Sequence, residues 1–190
     1  SGKSWQQART PASITLTAVY FPSATKGWAV GHDGLILHSN DAGESWVKQF
    51  DGYLANNAIV KGARAYKEKA ITALDVAKNS GDATEIDNAE MFLENVTYAL
   101  EDAQYDKQSG STKPFLDVWF YDAKIGFAVG AYGMAFHTRD GGKSWIDWSA
   151  NLDNNDRLHI NGIAMVGPRS LVLVGEQGLI LRSDNMGKNW

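Results

Sequence analysis

The side chains of this sequence that offer metal or acid–base chemistry are few. His38 and His137 recur at one position of a repeat in which Arg182 stands as the third copy. Copies of a repeat position lie far apart, so these two histidines are expected to be structural. His32 and Asp33 are adjacent residues of a loop tip and suit a partner contact. His159 is isolated. Asp41, Asp140 and Asn185 share another repeat position, where an oxygen side chain shapes a turn; neither calcium nor any other metal is expected there. The pair Gly31-x-x-Gly34 is no phosphate loop, because a strand follows it rather than a helix. Lys61, Arg64, Lys67 and Lys69 beside Tyr66 form a basic run. An acidic segment follows it at once, which argues for a solvated face and against nucleic acid. With 0 Cys, disulfides, thiolate zinc sites and cysteine nucleophiles are excluded. No cofactor is called for.

These residues have to be placed by a repeat. GWAVGHDGLILHSNDAGESW (27–46), GFAVGAYGMAFHTRDGGKSW (126–145) and LVLVGEQGLILRSDNMGKNW (171–190) align without gaps. A fourth fragment, Gly2-Lys3-Ser4-Trp5, opens the chain. In each copy a short apolar run ends at Gly, and two variable residues and a second Gly make a tight hairpin turn. A second apolar run leads into Ser/Thr-x-Asp/Asn-x-Gly-x-Ser/Asn-Trp. In that corner the carboxylate or amide oxygen accepts backbone N–H bonds, Gly supplies positive φ, and the Trp ring is buried between sheets. The corner residues are Ser39, Asp41, Gly43 and Trp46; Thr138, Asp140, Gly142 and Trp145; and Ser183, Asn185, Gly187 and Trp190.

One further strand precedes each hairpin, over 14–21, 115–121 and 160–166, making four strands per repeat. The Trp residues that close neighbouring corners lie 41 apart (Trp5 to Trp46) and 45 apart (Trp145 to Trp190), one blade of a propeller in length. The expected class is mainly β with an α-helical insertion: three four-stranded antiparallel blades of a larger or self-completed β-propeller. Seven Trp, 19 Gly and an aromatic content of 11% suit many strands and tight turns.

The corner phrase resembles the Asp-box, or BNR repeat. The longer pattern, from Gly-Trp/Phe-Ala-Val-Gly to the Asp-box Trp, resembles the photosystem II assembly/stability factor family of β-propellers. The resemblance covers residues 1–50 and 114–190. It implies closed rings of about seven blades. It also implies a noncatalytic, chaperone-like role, and says nothing of photosynthesis itself. This chain holds three blades and begins and ends inside an Asp-box, so it is expected to be a fragment or to complete its ring by self-association through open blade edges.

Trp46 and Trp145 lie 99 residues apart, about 54 more than one blade needs. The expected domains are 1–50, a blade with the end of a preceding Asp-box; 51–113, a helical hairpin insertion; and 114–190, two further blades. Ile59, Ala63, Tyr66, Ala70, Ala73, Leu74 and Ala77 have helical spacing, as do Ile86, Ala89, Leu93, Val96, Leu100 and Ala103. Between them Asn79-Ser80-Gly81 is a stop and Asp82-Ala-Thr-Glu85 a capping-box start. The hairpin is roughly 35 Å long at ~1.5 Å per residue. Its first helix is mainly basic; its second, from Asp82 to Asp106, carries eight acids and no Lys or Arg. The two helices complement each other in charge, and the acidic outer face also suits a partner.

In an up-and-down blade the insertion emerges on the face that carries the variable hairpin tips, opposite the Asp-box corners. The residues expected to bind a partner are therefore His32, Asp33, Tyr132, Glu176 and Gln177, together with Glu90, Glu94 and Glu101 of the second helix. Asp-box propellers include sialidases, which need an arginine cluster, a Tyr nucleophile and a Glu partner. Arg9, Arg139, Arg157, Arg169 and Arg182 are scattered, and Glu is scarce in the blades. The reading is a noncatalytic scaffold, not an enzyme, that binds a protein partner as an assembly or accessory factor for a membrane protein complex. A carbohydrate-binding or sialidase-like propeller and a structural oligomerisation module are the alternatives. A net charge of −4 gives no pull toward nucleic acid. No run of eighteen apolar residues exists to span a membrane. A periplasmic or otherwise exported location is expected, with no signal peptide in this chain.

Overall fold

The computed structural model describes residues 2–190. The chain forms two compact units, residues 1–52 with 112–190, and residues 53–111.

The first unit is built of three antiparallel sheets. Sheet one runs in order β1 (Leu16–Tyr20), β2 (Gly27–Gly31), β3 (Ile36–Ser39), β4 (Val47–Phe50). Sheet two runs β5 (Phe115–Phe120), β6 (Gly126–Gly130), β7 (Ala135–Thr138), β8 (Ile146–Asp147). The third contains β9 (Ile160–Gly167), β10 (Ser170–Gly175) and β11 (Ile180–Ser183). It therefore has three strands, where four were expected. In the other two blades the fourth strand follows the Asp-box Trp, and here that Trp, Trp190, is the last residue.

The first strands of the three sheets, β1, β5 and β9, lie beside one another. Thr17 Oγ1 donates to the Phe115 carbonyl at 2.7 Å, and the Ile163 amide donates to Asp117 Oδ2 at 2.9 Å. Burial raises the Asp117 carboxyl above its ordinary pKa against the pull of its backbone bonds from Ile163 and Val118. The second strands GWAVG and GFAVG are buried at every residue. Being covered on both faces, they are continuous apolar runs rather than alternating ones. Facing sheets meet through rings. Trp28 is fully buried and stacks on Phe120 with centroids 3.6 Å apart, and Phe50 packs on Phe115, Phe136 and Trp145. Trp119, Phe127, Ile160, Leu171 and Leu173 fill the space between sheets two and three. Each such ring contributes about 1.5–3 kcal/mol by burial.

The Asp-box corners share one hydrogen-bond plan. Ser39 Oγ accepts from the Gly43 amide at 2.9 Å and donates to Asp41 Oδ1 at 2.8 Å; Asp41 in turn accepts from the Ser45 amide at 2.9 Å. Thr138, Gly142, Asp140 and Ser144 repeat the pattern, and so do Ser183, Gly187, Asn185 and Asn189. Trp46 and Trp190 each donate Nε1 to the Gly carbonyl three residues earlier, at 3.0 and 3.1 Å. Trp145 Nε1 is buried without a partner. The outermost strands reach across to the next corner. Gln49 Nε2 donates to the Gly141 carbonyl at 3.1 Å while its Oε1 accepts from Trp28 Nε1 at 2.9 Å. Trp148, the same repeat position, donates to the Gly187 carbonyl at 2.8 Å.

The second unit is an antiparallel pair, α1 (Gly52–Ser80) and α2 (Ala83–Ser109), whose first residue, Gly52, falls in the first unit. Its fully covered positions are mostly small: Ala55, Ala70, Ala77 and Ala103, with Val60 and Asn56. Asn56 Nδ2 donates to the Gly110 carbonyl just past the end of α2 at 3.0 Å, and to the Asp106 carbonyl, which already accepts from the Gly110 amide, at 3.3 Å. The start of α2 differs from a full capping box. Asp82 accepts from the Glu85 amide at 3.0 Å, but the Glu85 carboxylate accepts from Ser80 Oγ at 2.7 Å instead of turning back to Asp82. Lys78 and Glu90 bridge the two helices at 4.0 Å.

Candidate functional site

Each blade presents a two-residue turn between its second and third strands. The amide of Leu35 donates to the His32 carbonyl at 3.1 Å, that of Met134 to Ala131 at 3.1 Å, and that of Leu179 to Glu176 at 2.8 Å. Both central residues have positive φ: Asp33 at 55° with Gly34 at 62°, Tyr132 at 57° with Gly133 at 69°, Gln177 at 51° with Gly178 at 80°. Such turns match the twist of a hairpin. Left-handed backbone costs a non-glycine residue about 1–2 kcal/mol. Asp tolerates it through local hydrogen bonding, while Tyr132 and Gln177 have no such compensation. The packing of the blades holds these two residues in a costly conformation at exposed positions, and it also holds Ala42 and Met186 of the Asp-box corners left-handed.

The tips are fixed from below. The amides of His32, Ala131 and Glu176 donate to the carbonyls of Thr15, Pro114 and His159 at 2.9, 3.0 and 3.0 Å, just before each first strand. The chain also leaves the first sheet beside its own tip: a Cβ on Gly34 would stand 2.7 Å from Gly52 Cα.

The tips of blades two and three are linked. The Tyr132 ring, 55% exposed, meets the His159 imidazole edge-to-face at 4.8 Å, and Lys113 Nζ lies 5.3 Å from the ring centre. Glu176 Oε2 accepts from the His159 amide at 2.9 Å, and its Oε1 lies 3.3 Å from His159 Nδ1. Lys113, Tyr132, His159 and Glu176 thus form one patch with an aromatic centre and both signs of charge. Gln177 stands exposed beside Glu176, and His32 and Asp33 stand exposed on the first tip. Glu90, Glu94 and Glu101 are exposed on α2, in the second unit.

Sequence reasoning missed two members of the patch. In the sequence His159 is isolated because its partners come from different blades, and Lys113 is the last residue of the expected insertion. The signal available for both was position. Each precedes a first strand of the repeat, at the level of the tips.

The remaining titratable groups are structural. His38 packs tilted against Trp28 at 4.6 Å and His137 stacks on Phe127 at 4.4 Å, each directly across the ladder from its ring. In blade three the same cross-strand pair is Val172 with Arg182. Burial pushes His137 down to about 4, and burial with nearby Lys26 lowers His38. Asp41 is held down to about 2, chiefly by the Ser45 hydroxyl and amide and then by Ser39. Its oxygens are committed to the corner. Burial raises Asp147 in spite of its bonds from Ser149. Among the described residues no group of three or more His, Cys, Asp or Glu is placed to hold a metal.

The family model described as photosynthesis system II assembly factor YCF48 matches residues 96–190, half of the chain. The chain belongs to the YCF48 assembly-factor family. A curated relative, the photosystem II assembly lipoprotein Ycf48 of Synechococcus sp. (strain CC9902), is 36% identical over 75 residues, covering 40% of this chain and 22% of the relative. Two solved structures share the fold: a YCF48 bound to a D1 peptide, with a TM-score of 0.58, and YCF48 from Cyanidioschyzon merolae, with a TM-score of 0.59. Each is 20% identical; they align with 96% and 98% of this chain and with 42% of their own length. The chain therefore spans less than half of the relatives it matches. The three sheets are blades of a β-propeller, which settles the expected fold class and the expected family. Among the described residues, no helix of this YCF48-family chain is long and apolar enough to cross a membrane.

Proposed function

We propose that this chain is a noncatalytic propeller scaffold that binds a protein partner, as an assembly or accessory factor of a membrane protein complex. The observation that carries the reading is the contrast between the two ends of the blades. The Asp-box corners spend their polar side chains on their own backbone, whereas the tips leave Tyr132, Glu176 and Gln177 exposed to solvent. Left-handed non-glycine residues occur at both ends, Ala42 and Met186 among them, so it is exposure and side-chain variety that set the tips apart. Variable, exposed tips on a rigid repeat suit a recognition surface. Support from relatives runs the same way: one is an assembly lipoprotein by name, and another is solved with a bound peptide. Lys113, Tyr132, His159 and Glu176, with His32, Asp33 and Gln177, form the contact surface of the propeller. Glu90, Glu94 and Glu101 form that of the hairpin. No catalytic step is assigned to any of these residues. A periplasmic or otherwise exported location fits a relative that is a lipoprotein.

The test is capture from native membranes solubilised in mild detergent, using the full chain, the Tyr132→Ala/Glu176→Ala variant, and a variant lacking 53–111. A membrane protein held by the full chain and lost from either variant is expected. A catch identical for all three would remove both surfaces from the proposal. No protein partner, with a specific glycan bound instead, would replace it.

A further inference from the structure

The outer face of α2 carries large side chains that the hairpin does not cover. Met91, Tyr98 and Tyr105 are 58%, 57% and 71% exposed. They are spaced by seven residues, so they form one continuous stripe that winds only ~20° around the helix per step. Glu94 and Glu101 lie on the same face with the same period, and Asp87 continues it toward the start of the helix; all three are exposed. Tyr98 donates its hydroxyl to Glu94 Oε1 at 3.2 Å, which orders the centre of the stripe. The opposite face of α2 is the one that packs, with Ala103 buried and Leu93, Val96 and Leu100 partly so.

We propose that this stripe docks a basic amphipathic α-helix of a protein partner. The inference rests on the protein-binding reading above and gives the chemistry of the hairpin's contact. Two observations select the occupant. The seven-residue period matches a second helix lying alongside at a shallow angle, with knobs entering between Met91, Tyr98 and Tyr105. An extended strand, repeating every two residues, would meet only every third pair of its side chains. The acidic positions interleaved with the rings then call for Lys or Arg flanking the apolar row of the partner, because like charges would be repelled and neutral polar groups would leave carboxylates unpaired. From Asp87 to Tyr105 the stripe is ~27 Å long, about five turns of a partner helix. Aromatic side chains of this kind carry much of the energy of an interface at small entropic cost.

The probe is a labelled synthetic helix of about 21 residues with Leu at heptad spacing and Arg on both flanks. It is compared with a scrambled peptide of identical composition and with a charge-reversed Glu version, using anisotropy with the intact 190-residue chain. The basic helix is expected to bind at least about tenfold more tightly than either, about 1.4 kcal/mol. Tyr98→Ser/Tyr105→Ser should abolish that margin, and Glu94→Lys/Glu101→Lys should move it to the Glu peptide. Lys124→Ala, at an exposed position of the propeller unit outside every proposed contact, should leave it unchanged. All these positions are exposed, and unchanged helical circular dichroism of the variants confirms that they fold. Equal binding of the scrambled peptide, or full binding by the Tyr variant, would overturn the proposal. So would a dimer of the chain that the same substitutions dissociate, since the occupant would then be a second copy. Membrane-protein capture unaffected by Tyr98→Ser/Tyr105→Ser would remove the stripe and leave the scaffold function standing.

Discussion

Trp28→Ala is the sharpest test of what holds the blades together. Trp28 is fully buried, stacks on Phe120 of the next blade at 3.6 Å and 13°, and donates Nε1 to Gln49 Oε1. Removing a buried Trp side chain costs about 3–5 kcal/mol. The stranded Gln49 oxygen adds about 1–3 kcal/mol, part of which a rotation of the amide recovers. A total of about 5 kcal/mol is a large share of the stability of any domain. At ~2–4 °C per kcal/mol the melting temperature should fall by about 10–20 °C. Trp28→Phe is the control, because blade two carries Phe127 at this repeat position. It keeps the stacking and loses mainly the hydrogen bond, so about 1–2 kcal/mol is expected. Urea unfolding followed by near-ultraviolet circular dichroism reads both. A loss below about 1 kcal/mol for Trp28→Ala would refute the claim that stacking between sheets, rather than hydrogen bonding within them, joins the blades.

Three further outcomes are expected. Thr138→Val removes the hydroxyl that accepts from Gly142 and donates to Asp140, and should cost about 1–3 kcal/mol in urea unfolding; Thr138→Ser should cost far less. Stability should fall with acid in two windows. His137, depressed in the folded state, contributes stability that is complete above its ordinary 6.5 and lost as pH falls to about 4; Asp41 contributes stability complete above 3.8 and lost as pH falls to about 2. Urea midpoints measured across pH should lose the upper fall in His137→Phe and the lower one in Asp41→Asn. Gln177→Gly should raise stability by about 1 kcal/mol by relieving left-handed strain, read as an upward shift in melting temperature.

What the sequence made legible was whatever the repeat repeats. The apolar runs, the turn glycines and the Asp-box oxygens are local, so a single copy states them and three copies confirm them. The cross-strand partner of each histidine was legible only as a recurring position, since the ring across from it is a matter of register. The patch around Tyr132 was half visible. Tyr132 and Glu176 stood out as variable tips, but their link runs through His159, and no local spacing encodes a contact between two blades. Gln49 and Trp148 gave no signal at all. Their hydrogen bonds run between sheets, and Gln and Trp share no pattern that would mark one repeat position. The start of the first helix at Gly52, ahead of the apolar spacing, reflects that periodicity marks the packed face of a helix and not its first turn.

The placement of the latch formed by Gln49 has an engineering consequence. Phe50, one residue later, is the last residue of its sheet, and the next sheet resumes at Phe115. A segment inserted between them interrupts no ladder bond of either sheet and leaves the latch intact. The inserted unit also brings its own ends together, since Asn56 at its beginning bonds to Gly110 at its end. The connection from β8 to β9 is the equivalent site one blade on, following Trp148 in the same way. A foreign domain with neighbouring termini, spliced between the exposed Asn155 and Asp156 so that the buried Leu152 and the Asn154–Leu158 bonds are kept, should be carried there without unfolding its host, which makes each such latch a port through which a propeller can acquire a new module.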